Sequence, residues 1–131
     1  MLTQEFSAYL EGRLRILEVH PAIIEGNFQT LLGMRVFSYS VMYKKVISGT
    51  IAEIFSRSGI GTLYDLIIDS DDNEIITTYG DSGILWYDFK GYAIGMHTNG
   101  NADESTTSYS TMISRIIDVF HIQNLYLLKG Q

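Results

Sequence analysis

Apolar and polar residues alternate along most of the chain from residue 34 onward, which is the pattern of short, half-buried β-strands. Polar or glycine-containing turns separate these runs, as expected for antiparallel neighbours. Six extended segments are predicted, at residues 34–43, 46–54, 63–68, 74–78, 84–87 and 92–96. The last two are expected to form a hairpin around Phe89-Lys90-Gly91, and residues 99–105 to form a loop.

The hydrophobic period changes near residue 110, where apolar residues begin to recur at helical spacing. The residues concerned are Met112, Ile113, Ile116, Ile117 and Phe120. They predict an amphipathic helix over residues 110–121. Residues 1–29 are interpreted as an N-terminal extension with a short helix, capped by Thr3 and ended by Gly12, and a strand over 13–19. Residues 22–33 are expected to be a loop. The predicted class is therefore all-β and antiparallel, closed by one C-terminal helix.

Composition narrows the range of functions. The chain has 131 residues, 46% hydrophobic and 18% charged, which fits one folded domain. The net charge of -6 argues against nucleic-acid binding, which needs a basic face. No apolar run has the ~18 residues of a membrane span, and the start lacks signal-peptide features. With no cysteine, a cytoplasmic location is favoured, although secretion stays open if a precursor segment is missing. No metal or cofactor is expected.

The motif most suggestive of chemistry is Gly-Asp-Ser-Gly at residues 80–83. In such a turn the small residues allow the backbone to present the hydroxyl of Ser82. They also let two N–H groups aim at one point, where an oxyanion could be held. The same four residues would also suit a tight turn with no chemistry.

The residues that follow this motif carry a resemblance. An apolar strand and a turn lead into Gly-Tyr-Ala-Ile-Gly-Met-His-Thr-Asn-Gly at 91–100. This order resembles the chymotrypsin-like serine peptidases, in which Gly-Asp-Ser-Gly is followed by a Gly-x-His strand and, later, a terminal helix. Residues 32–36 and 48–51 are similar to the first hairpin of that family's second barrel. The resemblance covers about residues 30–122 and implies that residues 30–131 form a chymotrypsin-like second barrel with its C-terminal helix.

The resemblance implies a role for each residue of the motif. Ser82 would be the nucleophile of peptide-bond hydrolysis, and the N–H groups of Gly80 and Ser82 would form the oxyanion hole. Asp81 would be a structural carboxylate and not the acid of the catalytic triad.

The pocket strand has a sharper likeness, since Thr77 and His97 are placed similarly to those of glutamyl endopeptidases. With Thr98, they would bind a Glu or Gln side chain before the cut bond, because hydroxyl and imidazole can both bond such a group. Ile76 is not acidic, which argues against a trypsin-like preference for Lys or Arg. The alternative is that His97 is an ordinary core or surface histidine.

The chain departs from the family in lacking a base for Ser82. In that family a His and an Asp come from a first barrel, and only about 30 residues precede the recognisable part here. His121 ends the predicted helix, and His20 precedes a proline; neither has spacing that marks it as a base.

Three interpretations follow for the chain as a whole. It is the serine-bearing half of a peptidase, completed by a first-barrel chain or a homo-oligomer. It is a peptidase-derived module that binds peptides or proteins without cutting. Or the likeness is accidental, and the chain is a small interaction domain. A lone second barrel would expose the face that packs on the first barrel, and this favours a partner.

Overall fold

The structure is a computed structural model of the chain, and it describes residues 14–57, 61–71, 74–78, 80–101, 104–121 and 125–128. This part contains ten strands and two short α-helices, with a 3₁₀ turn at Phe28–Leu31. The strands are β1 (Leu14–Leu17), β2 (Arg35–Ser40), β3 (Lys45–Arg57), β4 (Leu63–Ser70), β5 (Thr77–Thr78), β6 (Leu85–Tyr87), β7 (Ala93–Gly100), β8 (Glu104–Ser105), β9 (Thr107–Met112) and β10 (Leu125–Leu128). The helices are α1 (Pro21–Ile24) and α2 (Ile113–Phe120).

Six strands close into one antiparallel barrel in the order β2-β3-β4-β9-β7-β6. The prediction of a mostly β, antiparallel barrel followed by a helix is confirmed. β2 pairs with β3 over six residues, whereas β2 meets β6 through the single pair Phe37–Tyr87. The Ser38 hydroxyl adds one bond to the carbonyl of Leu85 across this contact. The barrel therefore has one seam, between β2 and β6, that is held by far fewer backbone bonds than the β2–β3 pair.

The barrel interior is filled by every second residue of its strands, as the pleat requires. Trp86, Leu66, Ile51 and Ile94 are completely buried there. Small polar residues are also buried, and each has a hydrogen-bonding role: Ser38, Ser40, Ser108 and Ser110. Polar positions on the inner face of a strand weaken the alternating hydrophobic pattern, so such strands are hard to recognise in sequence.

The C-terminal helix α2 begins at Ile113, three residues later than the 110–121 prediction. Residues 110–112 instead complete β9, which pairs with both β4 and β7. The buried carboxylate of Asp65 marks the change, because it accepts a bond from the Met112 N–H (3.0 Å) and two from Arg115 (2.8 and 2.7 Å). A carboxylate at this point satisfies an N–H at the start of the helix and anchors its first turn.

Segments before the barrel differ in part from the prediction. The strand expected over 13–19 is present as β1, but residues 22–33, expected to be a loop, contain most of α1 and the 3₁₀ turn. α1 forms because Pro21 suits a first helical position and the Nδ1 atom of His20 accepts a bond from the Ala22 N–H. β1 pairs with β10, a strand that the pattern did not predict. The helix expected over residues 3–12 lies outside the described residues.

The longest helix in the described part of the chain, α2, has eight residues, so none there is long enough to cross a membrane.

Candidate functional site

A cleft of about 260 Å³ opens where the Gly-Asp-Ser-Gly turn, β5 and the end of β7 meet. Its walls contain four residues predicted to act in function, namely Thr77, Ser82, His97 and Thr98. Thr78 and residues 99–101 complete the lining. The structure thus brings together, in one cavity, four predicted residues that lie up to 21 positions apart in the sequence. Their chemical roles remain predictions.

The turn at residues 80–83 owes its shape to its two glycines. Gly80 and Gly83 both have φ of +96°, a conformation that side chains disfavour. The Gly83 N–H donates to the His97 carbonyl at 2.9 Å, and the Ile84 N–H to the Asp81 carbonyl at 3.2 Å. The turn is therefore fastened to β7, and it leaves the side chain of Ser82 exposed beside the cleft.

Asp81 is fully buried and anchors the turn to the barrel. Its Oδ2 atom accepts bonds from the Ser40 hydroxyl (2.8 Å) and the Thr78 N–H (3.1 Å). Its Oδ1 atom accepts a bond from the Met42 N–H at 3.1 Å. The carboxylate thus joins the β2–β3 turn, β5 and the Gly-Asp-Ser-Gly turn, and both of its oxygens are committed to these contacts.

The hydroxyl of Ser82 donates to a carbonyl, not to a base. Its partner is the backbone oxygen of Thr98, at 3.0 Å. No histidine nitrogen among the described residues is bonded to Ser82. The backbone N–H of Ser82 donates to no acceptor in the described part of the chain. A serine in this state is an ordinary alcohol, because no group among the described residues withdraws its proton. Its free N–H is of the kind that could stabilise an oxyanion.

A β-bulge lies in the part of β7 that lines the cavity, residues 97–100. The pairing of β7 with β9 shifts register between His97 and Asn99, so Thr98 is the extra residue. A bulge redirects side chains that would otherwise point to opposite faces. The Thr98 hydroxyl donates to the Tyr109 carbonyl at 2.7 Å, which holds the bulge in place and leaves its backbone oxygen to receive Ser82.

His97 is almost completely buried, with 3% of its surface exposed. Its Nδ1 atom lies 2.6 Å from the hydroxyl oxygen of Ser108 on β9. That oxygen also receives the indole N–H of Trp86 (3.2 Å) and contacts the hydroxyl of Ser110 (2.8 Å). Burial lowers the pKa of His97 below its ordinary 6.5, and the negative charge of Asp81 partly opposes this effect. His97 is thus a neutral group at neutral pH.

The hydroxyl of Thr77 is buried and has no hydrogen-bond partner. Thr77 is only 1% exposed and lies in the cleft wall, where β5 pairs with β8 through Thr77 and Ser105. Leaving a buried hydroxyl unpaired costs about 1–3 kcal/mol. Because this oxygen is fully buried, a polar ligand in the cleft could bond it only after the Thr77 side chain rotates toward the cavity.

Sequence reasoning missed Ser108 and Ser110, which support His97 from inside the barrel. The run Thr-Ser-Tyr-Ser-Thr-Met at 107–112 does alternate in bulk, with small residues at every second position. The two serines at alternate positions, Ser108 and Ser110, were the signal in the sequence that could have indicated a strand with a polar inner face beside the Gly-x-His strand. It was obscured because the apolar residues from 112 onward fit a helical period.

A histidine–carboxylate pair, His20 and Asp88, lies at the far end of the β6–β7 hairpin. His20 Nε2 is 3.5 Å from Asp88 Oδ2, next to the turn that Asp88 and Tyr92 close through a backbone bond. Ser82 is at the opposite end of the same hairpin, where Ile84 bonds His97. His20 is occupied in capping α1 and does not serve Ser82 as a base.

The fold and the cleft together define a class of protein: a closed antiparallel barrel that presents an exposed serine next to a neutral, hydroxyl- and imidazole-lined cavity. No protein-family model matches the chain, and no curated protein matches it in sequence. Among the described residues, no cluster of His, Asp or Glu has the arrangement of a metal site.

Proposed function

We propose that the chain is the serine-bearing half of a trypsin- or chymotrypsin-like serine endopeptidase, and that Ser82 is its nucleophile. The observation that carries the proposal is the position of Ser82: exposed, on a turn anchored by Asp81, at the mouth of the cleft that Thr77 and His97 line. In this hydrolysis the Ser82 oxygen attacks the scissile carbonyl while a base takes its proton, and the amine leaves with that proton as the acyl-enzyme forms. Water, deprotonated by the same base, then attacks the acyl-enzyme and releases the acid and the free serine. The N–H groups of Gly80 and Ser82 stabilise the oxyanion.

We propose that the base comes from a His- and Asp-bearing first barrel outside the described residues, or from another copy of this chain. Nothing among the described residues withdraws the proton of Ser82, whose hydroxyl is bonded to Thr98. An apolar surface adjoins the serine turn on the β2–β3 hairpin, and it consists of Tyr39, Val41, Met42 and Val46, each at least 44% exposed. Met42 also packs against Gly80. A partner that carries a His and an Asp, docked on this surface, would reach Ser82.

The cleft favours Glu or Gln as the residue before the cut bond. Thr77 and His97 offer a hydroxyl and an imidazole, both of which can bond a carboxyl or carboxamide group. A site built from such groups rejects substrates that lack the polar atoms, by up to ~10⁴-fold, because its buried groups would then stay unpaired. His97→Ala should therefore reduce cleavage after Glu or Gln far more than it reduces the free energy of unfolding.

A binding module without catalysis is the second candidate. The observation in its favour is the bond from the Ser82 hydroxyl to the Thr98 carbonyl, which gives the serine a structural partner. In that case the cleft would still hold a polar side chain of a peptide or protein ligand.

A fluorophosphonate probe distinguishes the two candidates, because it labels a serine only when a base activates it. We expect the isolated chain to label at Ser82 no faster than a denatured sample, and to label rapidly when a complementary His- and Asp-bearing chain is added. Ser82→Ala is the matched control, and it should abolish the signal. Rapid labelling of the isolated chain would show that no partner is needed. Absence of labelling with every candidate partner would favour the binding module.

A further inference from the structure

A continuous group of exposed apolar side chains covers the outer face of the β2–β3 hairpin. Tyr39 and Val46 are directly paired across the two strands and therefore share a face, and Val46 lines one small cavity together with Ile75. Val41 and Met42 extend the group along the turn that connects the strands. These five residues, which we call the hairpin face, are each between 39% and 69% exposed.

The hairpin face is large enough to take part in a protein interface. At these exposures, five residues of this size present on the order of 500 Å² of accessible surface, whereas monomeric proteins rarely leave contiguous apolar patches above a few hundred Å². Two such faces in contact would bury about the ~1,000 Å² in total that a specific interface is expected to reach. The face therefore has the extent needed to bind a second copy of the chain.

The border of the hairpin face at its turn is basic. Residues 26–52 include three basic residues and no acidic one, although the whole chain has a net charge of -6. Two of the three, Lys44 and Lys45, lie exposed at the turn, where the Lys45 ammonium is 5.8 Å from the centre of the Tyr43 ring. Neither lysine forms an ion pair with a described residue. Both positive charges are therefore available to a partner.

The border of the hairpin face beside β3 is acidic. Asp71 is already satisfied within the chain, because one of its oxygens accepts the Thr50 hydroxyl at 2.6 Å and the other lies 3.3 Å from Nε of Arg35. Glu74 is exposed, lines the same cavity as Val46 and forms no ion pair with a described residue. A surface with free cations at one border and a free carboxylate at another can be complementary to itself under a two-fold axis, because each group can meet its opposite on the second copy.

From this arrangement we infer that the hairpin face is the interface of a symmetric dimer of this chain, in which Lys44 and Lys45 of each copy contact Glu74 of the other. Burial of the apolar side chains supplies most of the binding free energy, because exposed ion pairs contribute little. The charges select the partner and its orientation, since contacts between like charges are excluded. The dimer does not depend on the chemistry of Ser82, but a second copy and a first-barrel chain would compete for this surface.

Analytical ultracentrifugation of the full chain, at about 1–500 µM, tests the association directly. We expect a monomer–dimer equilibrium with a Kd of about 1–100 µM, as befits an interface of this small area. Val46→Asp should weaken it at least about ten-fold, because it places a charge within the apolar face. Phe89→Ser is the matched control, since Phe89 is 78% exposed but lies at the turn of the other hairpin, and its dimer should persist. A chain that is monomeric throughout this range, or equal effects of the two variants, would overturn the inference.

An exchange of charges between two variants tests which groups meet. Lys44→Glu combined with Lys45→Glu makes both contacts of the dimer acidic, and Glu74→Lys makes both basic, so each variant alone should associate at least about three-fold more weakly than the wild type. An equimolar mixture of the two should form a heterodimer, because every contact then joins opposite charges. A mixture that associates no better than its components would overturn the inference. None of these measurements depends on whether Ser82 reacts with fluorophosphonate, so failure of the proposed hydrolysis and failure of the dimer can be told apart.

Discussion

Replacement of Asp81 tests how strongly the serine turn depends on one buried carboxylate. Asp81→Ala leaves the Ser40 hydroxyl and the N–H groups of Met42 and Thr78 without their acceptor. Each lost partner of a buried donor costs about 1–3 kcal/mol, but Met42 is 52% exposed, so water can replace part of the loss there. We expect the free energy of unfolding to fall by about 3–5 kcal/mol, a large share of the stability of a domain of this size.

Asp81→Asn separates the hydrogen bonds from the shape of the side chain. An asparagine oxygen placed where Oδ2 now lies keeps the bonds from Ser40 and Thr78, while its NH₂ group confronts the Met42 N–H. One unpaired donor predicts a loss of about 1–3 kcal/mol, smaller than that of alanine. Urea unfolding measures the loss of stability in Asp81→Ala and in Asp81→Asn. The control is Asp69→Ala, at the exposed end of β4, for which we expect a loss of about 1 kcal/mol or less. A loss below about 1 kcal/mol for Asp81→Ala, or equal losses for alanine and asparagine, would refute the reasoning.

Three further outcomes follow from the barrel and its helix. Gly95→Ala should reduce the free energy of unfolding by about 1–3 kcal/mol, because the new methyl group would lie 2.8 Å from the backbone oxygen of Thr111; a loss near zero in chemical denaturation would contradict this. The free energy of unfolding should fall as the pH drops below about 6.5, because His97 takes up a proton in the unfolded chain, whereas burial lowers its pKa in the folded protein. In denaturation measured at several pH values, His97→Gln should reduce the slope of the unfolding free energy against pH. Arg115→Met should lower the free energy of unfolding by about 1–2 kcal/mol. The loss should be smaller than for breaking a fully buried ion pair, because Arg115 is 59% exposed while the Asp65 carboxylate that it bonds is buried. An unchanged melting temperature in thermal melting would refute the contact.

The sequence predicted most of the barrel because its hydrophobic alternation is strong. The runs of β2, β3 and β6 are rich in β-branched and aromatic residues, and β7 was recognised from the run 92–96 that follows the turn at 89–91. β9 was misread because its inner face carries Ser108 and Ser110, which serve hydrogen bonding and not hydrophobic burial. A polar inner face removes the very contrast on which pattern recognition depends, so the helix was predicted to start three residues early.

The candidate site was predictable where local motifs define it. Ser82, with its flanking glycines, and His97, in a Gly-x-His strand, could be singled out from the sequence, and they line one cleft with Thr77 and Thr98. The partner of the Ser82 hydroxyl could not be foreseen, because it is a backbone oxygen exposed by the bulge at Thr98. Backbone geometry of that kind depends on the register between β7 and β9, which no short motif encodes.

The seam between β2 and β6 has a consequence for the motions of the barrel. These strands are joined by the residue pair Phe37–Tyr87 and by the bond from the Ser38 hydroxyl to the Leu85 carbonyl. Amide protons at this edge should therefore exchange with solvent more readily than those of the six-residue β2–β3 pair. Asp81, which lies just before β6 and bonds Ser40 and Met42 at the end of β2, acts as a clasp across the same edge. Local opening of the barrel at this edge would therefore break the bonds between Asp81 and the end of β2 and free the serine turn first. Amide exchange should then report the opening of the edge and the loosening of the Ser82 turn as a single event.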